Sequence, residues 1–400
     1  MLLDVGTRDE TLETSGSLLA LKNTYLKTLK HTNETINYGM IQMSGGDMTM
    51  QYDQESMYFK GHCIEYDTID MFQMMVDIAL EPRSVLAANV AKSKNQKSHD
   101  LANHMAKFDP SSSDIDYLLR TAYGYNTLGM PLMGTANNIG NIDARMLQQF
   151  IMDNITPKKC TIVASGVKNH NEYVELVKER LGEVLSVPEH EYERQRSQYI
   201  GGEFRTWTES PQTSIQVAFE SINWGSQDLP AFMLMQELVG SAHAFAPGNS
   251  GRAHAAVKNN GFLDGMSSVN SNFTDSGLFG IKVAGAGSHS ADLLSVALET
   301  LDSLRQPIDE VELARAKNAL KMNFLLAMES SADRLEEVAR NYATLGELTI
   351  HNHLEAIENV TSAQINEAAR RTLAGKPTMV VTGGAINMVP SMTDVQRQLQ

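Results

Sequence analysis

Residues 45–80 read "GGDMTMQYDQESMYFKGHCIEYDTIDMFQMMVDIAL", and the same order of features returns at 259–301 as "NNGFLDGMSSVNSNFTDSGLFGIKVAGAGSHSADLLSVALETL". In the first copy Met48, Met50 and Tyr52 alternate with polar residues, as do Met57, Phe59 and Gly61. A period of two marks half-buried strands. From Met71 the spacing changes, and Phe72, Met75, Val76, Ala79 and Leu80 fall on one side of a helix. In the second copy "SGLFGIKVAG" (276–285) is the second strand. Leu293, Leu294, Val296, Ala297 and Leu301 then mark the apolar side of a helix from Asp292 onward.

The correspondence extends outward. "TAYGYNTLGMPLMGTANNIGNIDARMLQQFI" (121–151) parallels "RNYATLGELTIHNHLEAIENVTSAQINEAA" (340–369), with Thr127-Leu128-Gly129 against Thr344-Leu345-Gly346. Asn141 and Thr361 each stand a short step ahead of a helical run, as helix-capping residues do. Each half closes on a strand after a proline, from Pro157 and from Pro377. A spacing of roughly 220 residues is a duplicated domain and is far too long for a solenoid repeat. The expected fold is therefore α+β in two homologous domains, each a mainly antiparallel sheet with helices packed on one face. Residues 1–185 and 205–400 form the domains. The charged stretch "SVPEHEYERQRSQYIGGEF" (186–204), with Pro188 and the Gly201-Gly202 pair, is the linker.

Composition narrows the function classes. With 42% hydrophobic and 20% charged residues over 400 positions, the chain can bury two cores and is not globally disordered. A formal net charge of −15 opposes a nucleic-acid surface, whose footprint is basic. It would suit cationic partners, but simple solubility is the stronger reading of an acidic balance. Cys63 and Cys160 are the only cysteines, too few for a disulfide framework or a thiolate zinc site. No run of 18 apolar residues occurs, so no transmembrane segment is expected. The start "MLLDVGTRDE" has neither an Arg-rich amphipathic segment nor a signal-peptide core.

The residues alone nominate no catalytic centre. Of 11 histidines, His351 and His353 are closest, without a defensible carboxylate partner. His99 and His104 are five apart and would diverge on a helix. His243 and His254 merely flank a glycine-bearing stretch. Neither H-E-x-x-H, H-x-x-E-H nor a P-loop is present. "SGLFG" (276–280) lies within a strand pattern, unlike a nucleophile elbow. What does stand out is "ELVGSAHAFAPGNSGRAHAAVKNN" (237–260), a mildly apolar loop between two helical runs carrying Gly240, Pro247, Gly248 and Gly251.

The duplicated halves, the linker "QYIGGEFR", "INWGSQDLPAFMLMQELVG" running into the glycine loop, and "DSGLFGI" (275–281) together resemble the pitrilysin-type metallopeptidases. The resemblance runs from Asp4 to about Val389 and is strongest to the α-type subunits of mitochondrial processing peptidases and to core protein 2 of complex III. Catalytic members of that family carry H-x-x-E-H on the first helix and a further zinc-binding Glu downstream. Here, aligned by the preceding glycine, those positions fall within Ser17 to Leu21 of "SLLALKNTYLKT". The downstream region reads "SKNQKSHDL", with Asp100 beside His99. Neither segment supplies the two imidazoles and carboxylate that zinc needs, nor its general base.

The resemblance thus implies no metal, no cofactor and no catalytic residue in this chain, which would not be an enzyme by itself. It implies a zinc-bearing β-type partner subunit, cationic presequence peptides as substrates, complex III subunits as further partners, and a mitochondrial matrix setting or the matrix side of the inner membrane. Substrate contact would fall on Gly240, Ser241, Phe245, Pro247, Gly248 and Gly251. Glycines let such a loop reshape around a peptide, while Phe245 and Pro247 offer apolar contact. Ser241, Ala242, His243, Ala244 and Asn249 make the loop poorer in glycine than the family's, so a surface loop without a substrate role is the alternative. Against the family, the chain also begins late, and the usual first strand is expected to be missing ahead of Met1.

Overall fold

A computed structural model of the chain describes residues 1–24, 39, 41–43, 45–80, 110–135, 138, 141–156, 159–184, 194–244, 251–346 and 350–399. Its first half runs β1 (Leu2–Leu3), α1 (Ser17–Lys22), β2 (Asp47–Tyr52), β3 (Met57–His62), α2 (Thr68–Ala79), α3 (Pro110–Tyr123), α4 (Ala144–Asn154), β4 (Cys160–Thr161) and α5 (His170–Val184). Its second half runs β5 (Gly202–Trp207), β6 (Gln212–Glu220), α6 (Leu229–Val239), β7 (Ser241–His243), α7 (Arg252–Asn259), β8 (Leu263–Asn272), β9 (Gly277–Ala286) and α8 (Ser290–Asp302). It ends with α9 (Glu310–Glu329), α10 (Ser331–Leu345), α11 (Ile350–Asn359), α12 (Ser362–Leu373), β10 (Pro377–Gly383) and α13 (Met392–Leu399).

Both copies of the repeat fold as the periodicities require. Met48, Met50, Met57 and Phe59 point inward from the paired strands β2 and β3, and Phe72, Met75, Val76 and Ala79 cover them from α2. In the second copy Phe279, Ile281 and Val283 of β9 meet Leu293, Leu294, Ala297 and Leu301 of α8. Thr361 caps α12 in a reciprocal box with Gln364. The cap of α4 is Asp143, which accepts from the Met146 N–H, two residues beyond the expected Asn141. A carboxylate beside the free N–H groups of a helix start gains from the dipole as well as from the bond.

One sheet has the order β2-β3-β1-β4 and is antiparallel throughout; the other is six-stranded, β5-β10-β6-β9-β8-β7, with only the β5–β10 pair parallel. These antiparallel-rich sheets with helical layers are the fold class expected. Leu2 and Leu3 of β1 pair with both β3 and β4, so the first residues of this chain lie inside a sheet.

The two compact units are not the contiguous halves 1–185 and 205–400. The first draws on the described residues of Met1–Asp109, Tyr125–Arg196 and Leu335–Ala343; the second on Pro110–Gly124, Ser197–Arg334 and Thr344–Gln400. Within the stretch 186–204, Arg194 to Arg196 belong to the first unit and Gly202 already starts β5. Each unit thus takes a helical segment from the other half of the sequence. In the second unit α3 lies against β5, β10 and β6, on the face opposite the main core. Tyr117 stacks on Phe204 at 5.0 Å, and the Arg120 guanidinium sits over both rings at 4.9 and 5.3 Å. The Ile200 N–H donates to the Ala122 carbonyl at 2.7 Å. The result is that every residue of β10 is buried, on both faces. In the first unit Glu336 of α10 accepts from Lys60 of β3.

Candidate functional site

α6 is a short apolar helix with Leu234, Met235, Leu238 and Val239 buried in the second unit. It stops at Gly240, whose φ of +71° lies where only glycine is at ease. The chain then runs as β7 along the edge of the six-stranded sheet. Ala242 points inward, Ser241 and His243 are exposed, and the Ala244 N–H donates to the Asp264 carbonyl at 2.7 Å. Phe245, Pro247 and Gly248 lie outside the described residues.

The chain returns at Gly251, directly against Gly240. A Cβ on Gly251 would stand 2.6 Å from the Val239 carbonyl oxygen and 3.1 Å from the Gly240 Cα. The segment 241–250 therefore leaves and re-enters through a neck of two glycines in backbone contact. Both sides of the neck are fastened. The Ser268 N–H donates to the Gly240 carbonyl at 3.0 Å. Arg252, first residue of α7, forks onto Glu312 at 2.9 and 3.2 Å and donates to the Ser303 hydroxyl at 2.8 Å. Gly240, Ser241 and Gly251, named from sequence, thus come together at one place.

Arg252 was not among them. Its signal was a cation on the first residue of a helix, where the dipole disfavours positive charge and a carboxylate partner is needed. Gly251→Ala is expected to lower stability by about 1–3 kcal/mol, the range for overpacking, because the end of α6 and the start of α7 must part to admit the methyl. Thermal unfolding tests it, and an unchanged midpoint would contradict the neck.

The positions aligned with the family's zinc ligands were tested for fit. Ser17 is buried and donates its hydroxyl to the Thr14 carbonyl at 2.6 Å. Ala20 has no ligand atom, and Leu21 packs in the core of the first unit. Glu10 is turned to structure, its two oxygens accepting the Gly16 and Leu18 N–H groups at 2.8 Å. These residues do not fit a zinc ion. His99 and Asp100 lie outside the described residues. Among the described residues no group of three His, Cys, Asp or Glu side chains converges as a metal site would. Burial pushes the Cys160 thiol up to about 11 and raises Cys63 as well, which makes both poor nucleophiles.

Comparison with known proteins agrees with this architecture. Residues 141–320 match the family described as the peptidase M16 inactive domain. Over that stretch the chain is similar to the M16, or pitrilysin-type, peptidases. Proteins similar to it include subunits of the mitochondrial processing peptidase. Subunit alpha-2 of Dictyostelium discoideum is 26% identical over 100% of this chain and 89% of its own length. The beta subunit of Bos taurus is 25% identical over 98% and 81%. The probable beta subunit of Arabidopsis thaliana is 23% identical over 99% and 76%. Among solved structures, a chain of complex III2 from Candida albicans with Inz-5 bound superposes with a TM-score of 0.83 at 17% identity, covering 100% of this chain and 93% of that one. That likeness is one of fold. No described helix is long and apolar enough to cross a membrane.

Proposed function

We propose that this chain is a non-catalytic, α-type subunit of a mitochondrial processing peptidase, which handles presequences for cleavage by a zinc-bearing β-type partner. The observation that carries the proposal is the fastened glycine neck at Gly240 and Gly251. It fixes both ends of the segment 241–250, the arrangement a peptide-handling element needs. Ser17, Ala20 and Leu21, in place of zinc ligands and base, favour the non-catalytic role. Alpha and beta relatives match at similar identities, so the assignment to the α type rests on these residues and not on overall likeness. In this reading Phe245 and Pro247 meet the apolar side of a presequence, and acidic side chains of the heterodimer meet its arginines. The mitochondrial setting follows from the relatives' names, and zinc belongs to the partner.

The test mixes the purified chain with a zinc-bearing partner and follows cleavage of an arginine-containing presequence peptide. Replacing residues 241–250 with a short neutral linker is expected to reduce cleavage at least about tenfold while leaving the heterodimer intact, a loss equivalent to about 1.4 kcal/mol. A stable heterodimer whose cleavage ignores the loop would instead favour a scaffolding role of the core-protein kind. Stoichiometric zinc with hydrolysis by this chain alone would overturn the proposal outright.

A further inference from the structure

A second concave site lies in the second unit, away from the glycine neck. It is a cleft of about 680 Å³ lined by Arg305, Arg370, Lys376 and Gln396, with Phe219 and Leu373 buried beneath its floor. That volume is in the range of sites for small molecules. The cleft gathers three cations in a chain whose net charge is −15. Of its lining residues none is acidic.

How the cations are held matters more than their number. Arg370 donates to the Arg305 carbonyl at 3.3 Å, and Lys376 donates to the Ile200 carbonyl at 2.7 Å. Both are oriented by neutral oxygens, which fix direction without cancelling charge. Arg305 reaches Asp302, which lies outside the cleft lining, at 3.2 Å. The neighbouring Arg371, by contrast, turns to Asp228 and does not line the cleft. The C-terminus of α12 is closed off by its own capping bonds, the Ala374 N–H donating to the Arg370 and Thr372 carbonyls and the Gly375 N–H to that of Thr372. Those carbonyls therefore compete less for the cations.

We infer that this cleft binds an organic phosphate, its phosphoryl oxygens taken by Arg305, Arg370 and Lys376 and its organic body lying against Ala374 and Gln396. Guanidinium forks match phosphate geometry, and a dianion suits three cations better than a single carboxylate does. The same chemistry is offered by a soluble phosphate monoester and by an acidic phospholipid headgroup.

Calorimetry with phenyl phosphate and with inorganic phosphate, on the full chain at physiological ionic strength, tests the first source. Flotation with phosphatidylcholine vesicles with and without phosphatidic acid tests the second. Phenyl phosphate is expected to bind more tightly than inorganic phosphate. Arg370→Gln with Lys376→Gln is expected to weaken binding at least about tenfold, the scale of losing charge-assisted hydrogen bonds. Both residues are exposed, so the double variant keeps its fold. Arg371→Gln with Lys258→Gln removes the same charge elsewhere and is expected to leave binding within about twofold, the residue of screened surface charge. Binding of phenyl phosphate that depends on Arg370 and Lys376 identifies a soluble ligand; flotation with the same dependence identifies a lipid headgroup. Absence of both, or equal weakening by the control pair, overturns the inference.

Discussion

Replacing Arg194 with methionine is expected to destabilise the first unit by about 3–5 kcal/mol, the range for removing one partner of a buried ion pair. The guanidinium spans two carboxylates and two carbonyls. It donates to Asp4 Oδ1 at 2.6 Å, to Asp9 Oδ1 and Oδ2 at 3.0 and 2.8 Å, and to the carbonyls of Asp4 and Glu55 at 3.0 and 3.1 Å. The Asp9 side chain is wholly buried, so the variant would leave its charge with the Gly6 N–H and the nearby Lys159 ammonium. Burial alone would ease the proton off Arg194, but hydrogen bonds and charge from Asp9 and Asp4 outweigh it and hold its pKa above the ordinary value. The ion therefore stays protonated throughout the working pH range, and its contribution is not lost as pH rises. Arg194→Lys keeps the charge without the fork and should recover only part of the stability. Urea unfolding measures both. A loss below about 1 kcal/mol for the methionine variant, the level of a surface pair, would show the network to be dispensable.

The second large effect concerns a residue from one half of the sequence acting in the other unit. Tyr123, at the end of α3, is 2% exposed. Its hydroxyl shares a 2.8 Å hydrogen bond with the Ser276 hydroxyl and lies 3.3 Å from the Gly277 carbonyl, while its ring meets Tyr199 edge-on at 6.0 Å. Tyr123→Ala should cost about 3–5 kcal/mol through lost packing and a cavity. Tyr123→Phe, which keeps the ring, should cost about 0.5–1.5 kcal/mol. Amide exchange localises the damage. β6, β9 and β10 are expected to exchange faster in the alanine variant, with β2 and β3 unchanged. Acceleration confined to β2 and β3 would contradict the exchange of helical segments.

The strands and core helices were legible because each carries its own period. Met48, Met50, Met57 and Phe59 alternate, and Phe72, Met75, Val76 and Ala79 do not, whatever lies around them. The exchange of α3 and α10 was not legible. Amphipathic spacing states that a helix must be covered and is silent on which sheet covers it. Arg194 was hidden for a related reason: in "EYERQRSQ" it looks like one more solvated charge, and only the folded positions of Asp4 and Asp9 reveal its task. At the candidate site the glycines could be picked out, but not their mutual contact, since Gly240 and Gly251 meet through tertiary approach. The loop-base ion pair of Arg252 with Glu312 spans 60 residues and leaves no local trace beyond an ill-placed cation.

The exchanged segments also bear on how the chain emerges during synthesis. Domains made in order from the N-terminus ordinarily fold as each leaves the ribosome. Here the first unit draws on Leu335–Ala343, more than a hundred residues beyond the start of the second unit's sheet at Gly202. The second, in turn, needs α3, translated before the sheet it covers. Neither half of the sequence holds the whole of a unit, so cutting the gene between the halves would yield two incomplete products. The first unit can therefore be completed only late in translation, once Leu335–Ala343 has emerged.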